Sequence, residues 1–156
     1  MPTKKKTTKS KAKKKASKPT RPPARRQPET LRLRGVSPSF TANDLQRSIA
    51  FYRDVLGFVV GDEWRGESGV LQGCEMRAGS VVFMLNQDDF AKGRDRKKGL
   101  GTRLHVDTAQ DIDRLASEIK ARGGTLDQEP ADMPWGQRIF TITDPDGFKL
   151  TIAQAR

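Results

Sequence analysis

Residues 44–57 and 111–124 repeat one another, and no other feature of the 156-residue sequence restricts its folding as much. At an offset of 67, Asp44, Leu45, Arg47 and Gly57 fall on Asp111, Ile112, Arg114 and Gly124. At an offset of 68, Gly79 falls on Gly147 and Val82 on Leu150, which fits a one-residue insertion between helix and last strand. Self-similarity at a fixed period means that one supersecondary unit is built twice. In the first copy, residues 36–42 form a strand candidate in which Pro38 points to an edge or bulge. Asn43 or Asp44 then caps a helix with Leu45, Ile49, Tyr52, Val55 and Leu56 on one face, flanked by Phe51 and ended by Gly57. Strands are expected at 58–64, 70–77 and 81–86. In the second copy a strand at 102–106 precedes a helix over 111–122, with Ile112, Leu115, Ala116 and Ile119 on one face and Gly123-Gly124 as its stop. Strands at 125–127, 137–143 and 148–153 complete it. The fold class is therefore α+β, two βαβββ modules in tandem at about 33–87 and 100–154, joined by a charge-dense linker at 88–99.

The second module closes on PWGQRIFTITDPDGFKLTIA, residues 134–153. Asp144-Pro145-Asp146-Gly147 is a turn in which proline presets φ and Gly147 takes the positive φ that closes it. Runs rich in Ile, Phe, Thr and Leu on both sides make this a hairpin. The pattern W-G-x-R-x-F, three residues, then D-P-D-G resembles the closing hairpin of the vicinal oxygen chelate superfamily of glyoxalases, extradiol dioxygenases and bleomycin-resistance proteins. Trp135, Gly136 and Arg138 are most similar to its bleomycin-resistance branch. The phrase Asp44-Leu45-Gln46-Arg47-Ser48, Phe51-Tyr52, Leu56-Gly57-Phe58 resembles the superfamily's first-module signature. The resemblance spans about residues 35–154 and implies curved mixed sheets around a ligand cleft in a domain at 31–156.

Charge is distributed unevenly along the chain. Residues 1–28 hold nine Lys, three Arg and no acid, whereas the remainder carries 18 basic residues against 19 acids. Residues 1–30, without aromatic content, cannot bury enough apolar surface to offset their conformational entropy, so a disordered basic tail is expected. Two readings of it stay open, a solvated extension and a segment that binds nucleic acid or another polyanion without reading sequence. No apolar run approaches the roughly 18 residues of a membrane span and no secretory segment is visible, so no membrane partner is expected. The single cysteine, Cys74, excludes an internal disulfide framework, fits a cytoplasmic location and reads as an apolar filler on a strand.

In metal-using members of the superfamily, His and Glu side chains from the first and last strands of each module hold one divalent ion. The resemblance carries these positions to Ser37, Phe83, Thr151 and either Thr102 or Leu104. None is a credible ligand for a catalytic metal. The lone histidine, His105, is expected to point away from the cleft, as an ordinary helix-facing or partly exposed residue. Arg138 meets either an anionic ligand or a local carboxylate. Trp64 and Trp135 stack on ligand rings at a cleft mouth or pack in a core or dimer interface. Asp144 and Asp146 read as turn residues.

The resemblance thus implies a protein that takes up an amphipathic small molecule without metal or other cofactor, as a homodimer, in a cleft lined by Ser37, Trp64, Phe83, Thr102, Trp135, Arg138 and Thr151. No catalytic residue is assigned. Two other readings remain: an enzyme of the superfamily, a lyase or isomerase, using ligands such as Asp62, Glu67 or Glu75, and a nucleic-acid-associated protein acting through its tail.

Overall fold

The two capping aspartates of the repeat start the two helices. In a computed structural model that describes residues 35–155, Asp44 accepts a hydrogen bond from the Arg47 amide at 3.1 Å and Asp111 one from the Arg114 amide at 2.7 Å. Each side chain satisfies one of the amides that a helix start leaves without a partner. The basic N-terminal segment lies outside the described residues.

The elements run β1 (Ser39–Ala42), α1 (Leu45–Ala50) continuing into a π-helical turn (Phe51–Val55), β2 (Val59–Arg65), β3 (Leu71–Ala78) and β4 (Val81–Gln87). The second series is β5 (Arg103–Thr108), α2 (Ile112–Ala121), β6 (Leu126–Asp132), β7 (Arg138–Thr143) and β8 (Lys149–Gln154). Each series folds into its own four-stranded sheet, in the orders β1-β4-β3-β2 and β5-β8-β7-β6. The β1–β4 and β5–β8 pairs are parallel and the others antiparallel. These are the tandem βαβββ modules that the repeat predicts.

Three details differ from the sequence reading. The first helix widens halfway, with the Leu56 amide reaching back to the Phe51 carbonyl at 3.2 Å. Strand β6 runs on past Asp127 through Pro130, which an edge strand tolerates where its pairing with β7 shifts register between Gln128 and Ala131. The equivalent glycines Gly57 and Gly124 serve different ends. Gly57 has φ +82°, whereas a Cβ on Gly124 would lie 2.8 Å from Val55 Cγ1 of the other module.

Pairing fixes which side chains share a face. Phe40, Leu85 and Cys74 lie in one row of the first sheet, and Leu104, Leu150 and Ile142 in one row of the second. These rows turn toward the helices and join Tyr52, Phe58, Phe83, Ile112, Ile119 and Phe140 in one apolar cluster. Burying each large side chain stabilises the fold by about 1.5–3 kcal/mol. Phe40 of the first module stacks on Phe148 of the second with centroids 4.3 Å apart. The modules are also locked through the D-P-D-G turn. Asp144 accepts from the Asp146 and Phe148 amides and from the Tyr52 hydroxyl at 2.9 Å, and Asp146 accepts from the Asn43 amide and the Ser48 hydroxyl.

Candidate functional site

The face of each sheet turned away from the helices is where polar side chains collect. In the first sheet Ser39, Met84 and Glu75 form one row, and Thr41, Asn86, Gly73 and Trp64 the next. In the second sheet His105, Thr151 and Thr141 form one row, and Asp107, Ala153 and Ile139 the next. His105 and Ser39, and likewise Thr151 and Met84, occupy equivalent places in the two modules, each a parallel pair between the first and last strand.

The second sheet holds a connected polar group. Trp135, at the turn between β6 and β7, donates its indole N–H to Gln137 Oε1 at 3.1 Å. Gln137 donates in turn to Asp107 Oδ1 at 3.2 Å, and His105 Nε2 lies 3.7 Å from the same oxygen. Beside His105, the Thr151 side chain is almost wholly buried, and its hydroxyl makes no hydrogen bond to the described residues. A buried hydroxyl with no partner costs about 1–3 kcal/mol, so this atom is poised to receive one. Ile139 and Ala153 add a small apolar floor in the next row.

The seven residues expected in the cleft divide unevenly. Thr151 and Trp64 lie on this far face, Trp64 with its indole over Gly73, and Trp135 adjoins it through Gln137. Ser37 and Thr102 are exposed and precede β1 and β5, outside the paired rows. Phe83 is on the other face, fully buried with its ring 4.8 Å from that of Tyr52. Arg138 also turns to the helix side, where it binds Asp113 of α2 through two hydrogen bonds of 2.7 Å and Asp132 at 3.0 Å. That engagement pulls the Asp113 carboxyl below its usual range and raises the guanidinium further. Of its two readings, Arg138 takes the local carboxylate. His105 is the reverse case, since it shares the far face with Thr151 instead of pointing away from it.

The physical reason is a single slip of register. The offset of 68 matches Val82 with Leu150, yet Val82 pairs with Arg77 on the far face while Leu150 is fully buried on the helix side. One residue of slip moves every side chain of a strand to the other face. The signal that finds His105 is in the sequence: apolar Leu104 and Val106 flank it, and such alternation marks the buried face.

Other candidates are structural. Asp62, Glu63, Arg65, Glu75 and Arg77 are joined in ion pairs along β2 and β3. Cys74 is fully buried, and burial together with nearby Glu63 pushes its thiol up to about 11, away from nucleophilic use. No helix among the described residues is long and apolar enough to cross a membrane.

Two βαβββ modules, each pairing its first strand in parallel with its last, with polar residues on the far faces, define a glyoxalase-like class of fold. The chain belongs to the Glyoxalase/Bleomycin resistance protein/Dioxygenase superfamily, whose family model matches residues 36–152. It is 29% identical over 120 residues to a lactoylglutathione lyase of Salmonella typhimurium, covering 72% of this chain and 86% of that one. It is 24% identical over 123 residues to the lactoylglutathione lyase GLX1 of Arabidopsis thaliana, covering 74% of this chain and 42% of that protein's length. Among solved structures, a member of the superfamily from Sphaerobacter thermophilus superposes with a TM-score of 0.62 at 24% identity, over 78% of this chain and 98% of that one.

Where the first and last strand of each module pair, the far face would hold a divalent metal only through imidazole or carboxylate side chains. Here these positions hold Ser39, Met84, His105 and Thr151. One imidazole, one thioether and two hydroxyls do not fit a site for Ni, Zn or Fe(II). Among the described residues, no three His, Cys, Asp or Glu side chains converge elsewhere in an arrangement that suits a metal.

Proposed function

We propose that the chain binds an amphipathic small molecule on the far faces of its sheets without a divalent metal, and that two copies oppose these faces to close each site. The buried Thr151 hydroxyl without a partner beside His105 carries the reading. A ligand oxygen or amide there would satisfy Thr151 and meet the His105 imidazole, whose Nε2 lies 3.7 Å from Asp107 Oδ1. Trp135 and Trp64 offer flat surfaces for an apolar body. Homodimer formation accords with the superfamily resemblance and with the exposed Val59 and Trp135 on or beside these faces. A thermal-shift panel of metabolites and antibiotics on wild type, His105→Ala and Thr151→Val tests it, with sedimentation to measure assembly. A ligand that binds wild type at least tenfold more tightly than both variants is expected. Equal response of all three, or ligand binding by a strict monomer, overturns the assignment.

The curated relatives support a second reading, a metal-dependent lyase acting on a methylglyoxal–thiol adduct. Such chemistry requires a Lewis acid that polarises the substrate oxygen, a contribution of several kcal/mol. The side chains at the four paired positions argue against it. Turnover of the adduct with added Ni or Zn, lost with chelator, is the result that would establish this reading in place of the first.

A further inference from the structure

The linker between the modules has more structure than its composition suggests. Residues 88–103 hold six basic residues and three acids, while the rest of the chain from residue 29 onward holds 12 and 16. The folded part is thus electrically divided, with one basic region on a body that is otherwise acidic. Asp88 fixes the region's backbone: it is buried, pairs with the buried Lys98 at 2.6 Å and with Arg96 at 3.0 Å, and accepts the Phe90 amide at 2.8 Å. Phe90 takes φ +58°, a left-handed conformation rare for an aromatic residue, and Arg94 lies over its ring at 4.0 Å. Lys98 also donates to Asn43 Oδ1 of the first module at 2.5 Å, and the backbone at Lys98 and Gly99 lies against Gly147.

This scaffold consumes Asp88, Lys98 and Arg96 and leaves the other cations outward. Lys92, Lys97, Arg103 and Lys149 are exposed and form no ion pair with the described residues. Arg103 and Lys149 pair across β5 and β8. A shallow groove of about 460 Å³ runs between the linker and the D-P-D-G turn, lined by the cations Arg94, Arg96, Lys97, Lys98 and Lys149 against the two acids Asp95 and Asp146. Asp146, the turn's acid at its edge, is already held by Asn43 and Ser48. Cations held apart by an ordered backbone along a groove suit a row of phosphates better than a single small anion, because several charges are met at intervals.

We propose that this linker groove binds the phosphate backbone of nucleic acid, without reading its sequence, as a site that meets the far face of the second sheet only at its edge, where Lys149 lies two residues before Thr151. The basic N-terminal sequence shares that chemistry, but the groove is a binding surface of its own.

The test uses the full chain with a 20-base-pair duplex DNA in a salt series. The triple variant Arg94→Ala, Lys97→Ala, Lys149→Ala is compared with Arg47→Ala, Arg53→Ala, Arg65→Ala, which removes the same charge elsewhere. Each phosphate that a variant no longer neutralises flattens the dependence of log K on log salt by about 0.9. The groove variant is therefore expected to lose about 2–3 from the slope, with the control close to wild type. Acetylation mapping of the wild type should show DNA protecting Lys97 and Lys149 but not Lys120. Equal slopes for groove and control variants, no protection of Lys97 and Lys149, no DNA binding at low salt, or protection by inorganic phosphate alone each overturn the proposal.

Discussion

Asp88 shows how one carboxylate can organise a segment of a dozen residues. Its pKa is held well below the usual carboxylate range by hydrogen bonds from Lys98, the Phe90 amide and Arg96, in that order of effect. A depressed folded-state pKa contributes stability that is present above the unfolded value near 4 and is lost as pH falls toward the folded value. Wild type should therefore lose stability below about pH 4, and Asp88→Asn should lose stability at neutral pH and show a flatter decline between about pH 4 and 2. Denaturant titrations at several pH values measure this, and parallel curves for the two proteins would contradict it. Gly147 is the second decisive residue. It has φ +94°, and a Cβ there would lie 2.9 Å from the Lys98 carbonyl oxygen. Gly147→Val combines backbone strain with that clash and should cost at least about 1–3 kcal/mol, read as a lower denaturant midpoint. Sequence reasoning makes Asp146→Asn a mild change because asparagine tolerates turns. The structure assigns Asp146 to two acceptor roles on the first module. Loss of the charged acceptor at Ser48 then costs about 1–2 kcal/mol, and an unchanged midpoint would return Asp146 to a local turn role.

At the scale of elements, the π-helical turn and the β7–β8 hairpin act as one joint. Tyr52 is fully buried within that turn, edge-on to Phe58 and Phe83, and its hydroxyl meets Asp144 across the module boundary. Burial is the main cause that raises the Tyr52 phenol far above its ordinary value, so it stays a donor across the accessible pH range. Burial likewise pushes the Asp144 carboxyl up, against the backbone and Tyr52 donors that pull it down. Tyr52→Phe removes the donor but leaves the ring packing, and strands one buried carboxylate oxygen. The expected loss is about 1–3 kcal/mol, and the double variant Tyr52→Phe, Asp144→Ala should fall short of additivity. Strict additivity in denaturant titrations would mean that the two side chains do not cooperate. The bidentate Arg138–Asp113 link between β7 and α2 is half-exposed, so solvent screening leaves it a minor contributor beside the Tyr52–Asp144 joint.

For the whole molecule, the contrast is between a neutral folded body and a basic first segment. Residues 1–28 hold no aromatic and almost no large aliphatic side chain. Their removal should leave the melting temperature within about 1–2 °C, and a fall of about ten degrees in calorimetry would show that they dock. The same measurement with chelator bears on the site. A protein whose paired far-face positions are Ser39, Met84, His105 and Thr151 gains no stability from Ni or Zn, so chelator should leave its melting temperature unchanged.

Element order, helix caps and the D-P-D-G turn were legible in the sequence because each rests on local chemistry. An aspartate at a helix start, a glycine at positive φ and a run of alternating apolar residues act over a few positions. The duplication of that local pattern was enough to give two modules of one topology. The site was less legible, since it depends on which face of a strand a residue occupies. The glycine-based offset put Phe83 in the cleft and a strand-position carry-over sent His105 out of it, while pairing of β4 with β3 and of β5 with β8 reverses both. The linker composition alone described a solvated loop, and the burial of Asp88 against Lys98 organised it. Tertiary structure decided these points because a strand's two faces are chemically equivalent until a helix covers one of them, and a charge is solvated until its partner buries it.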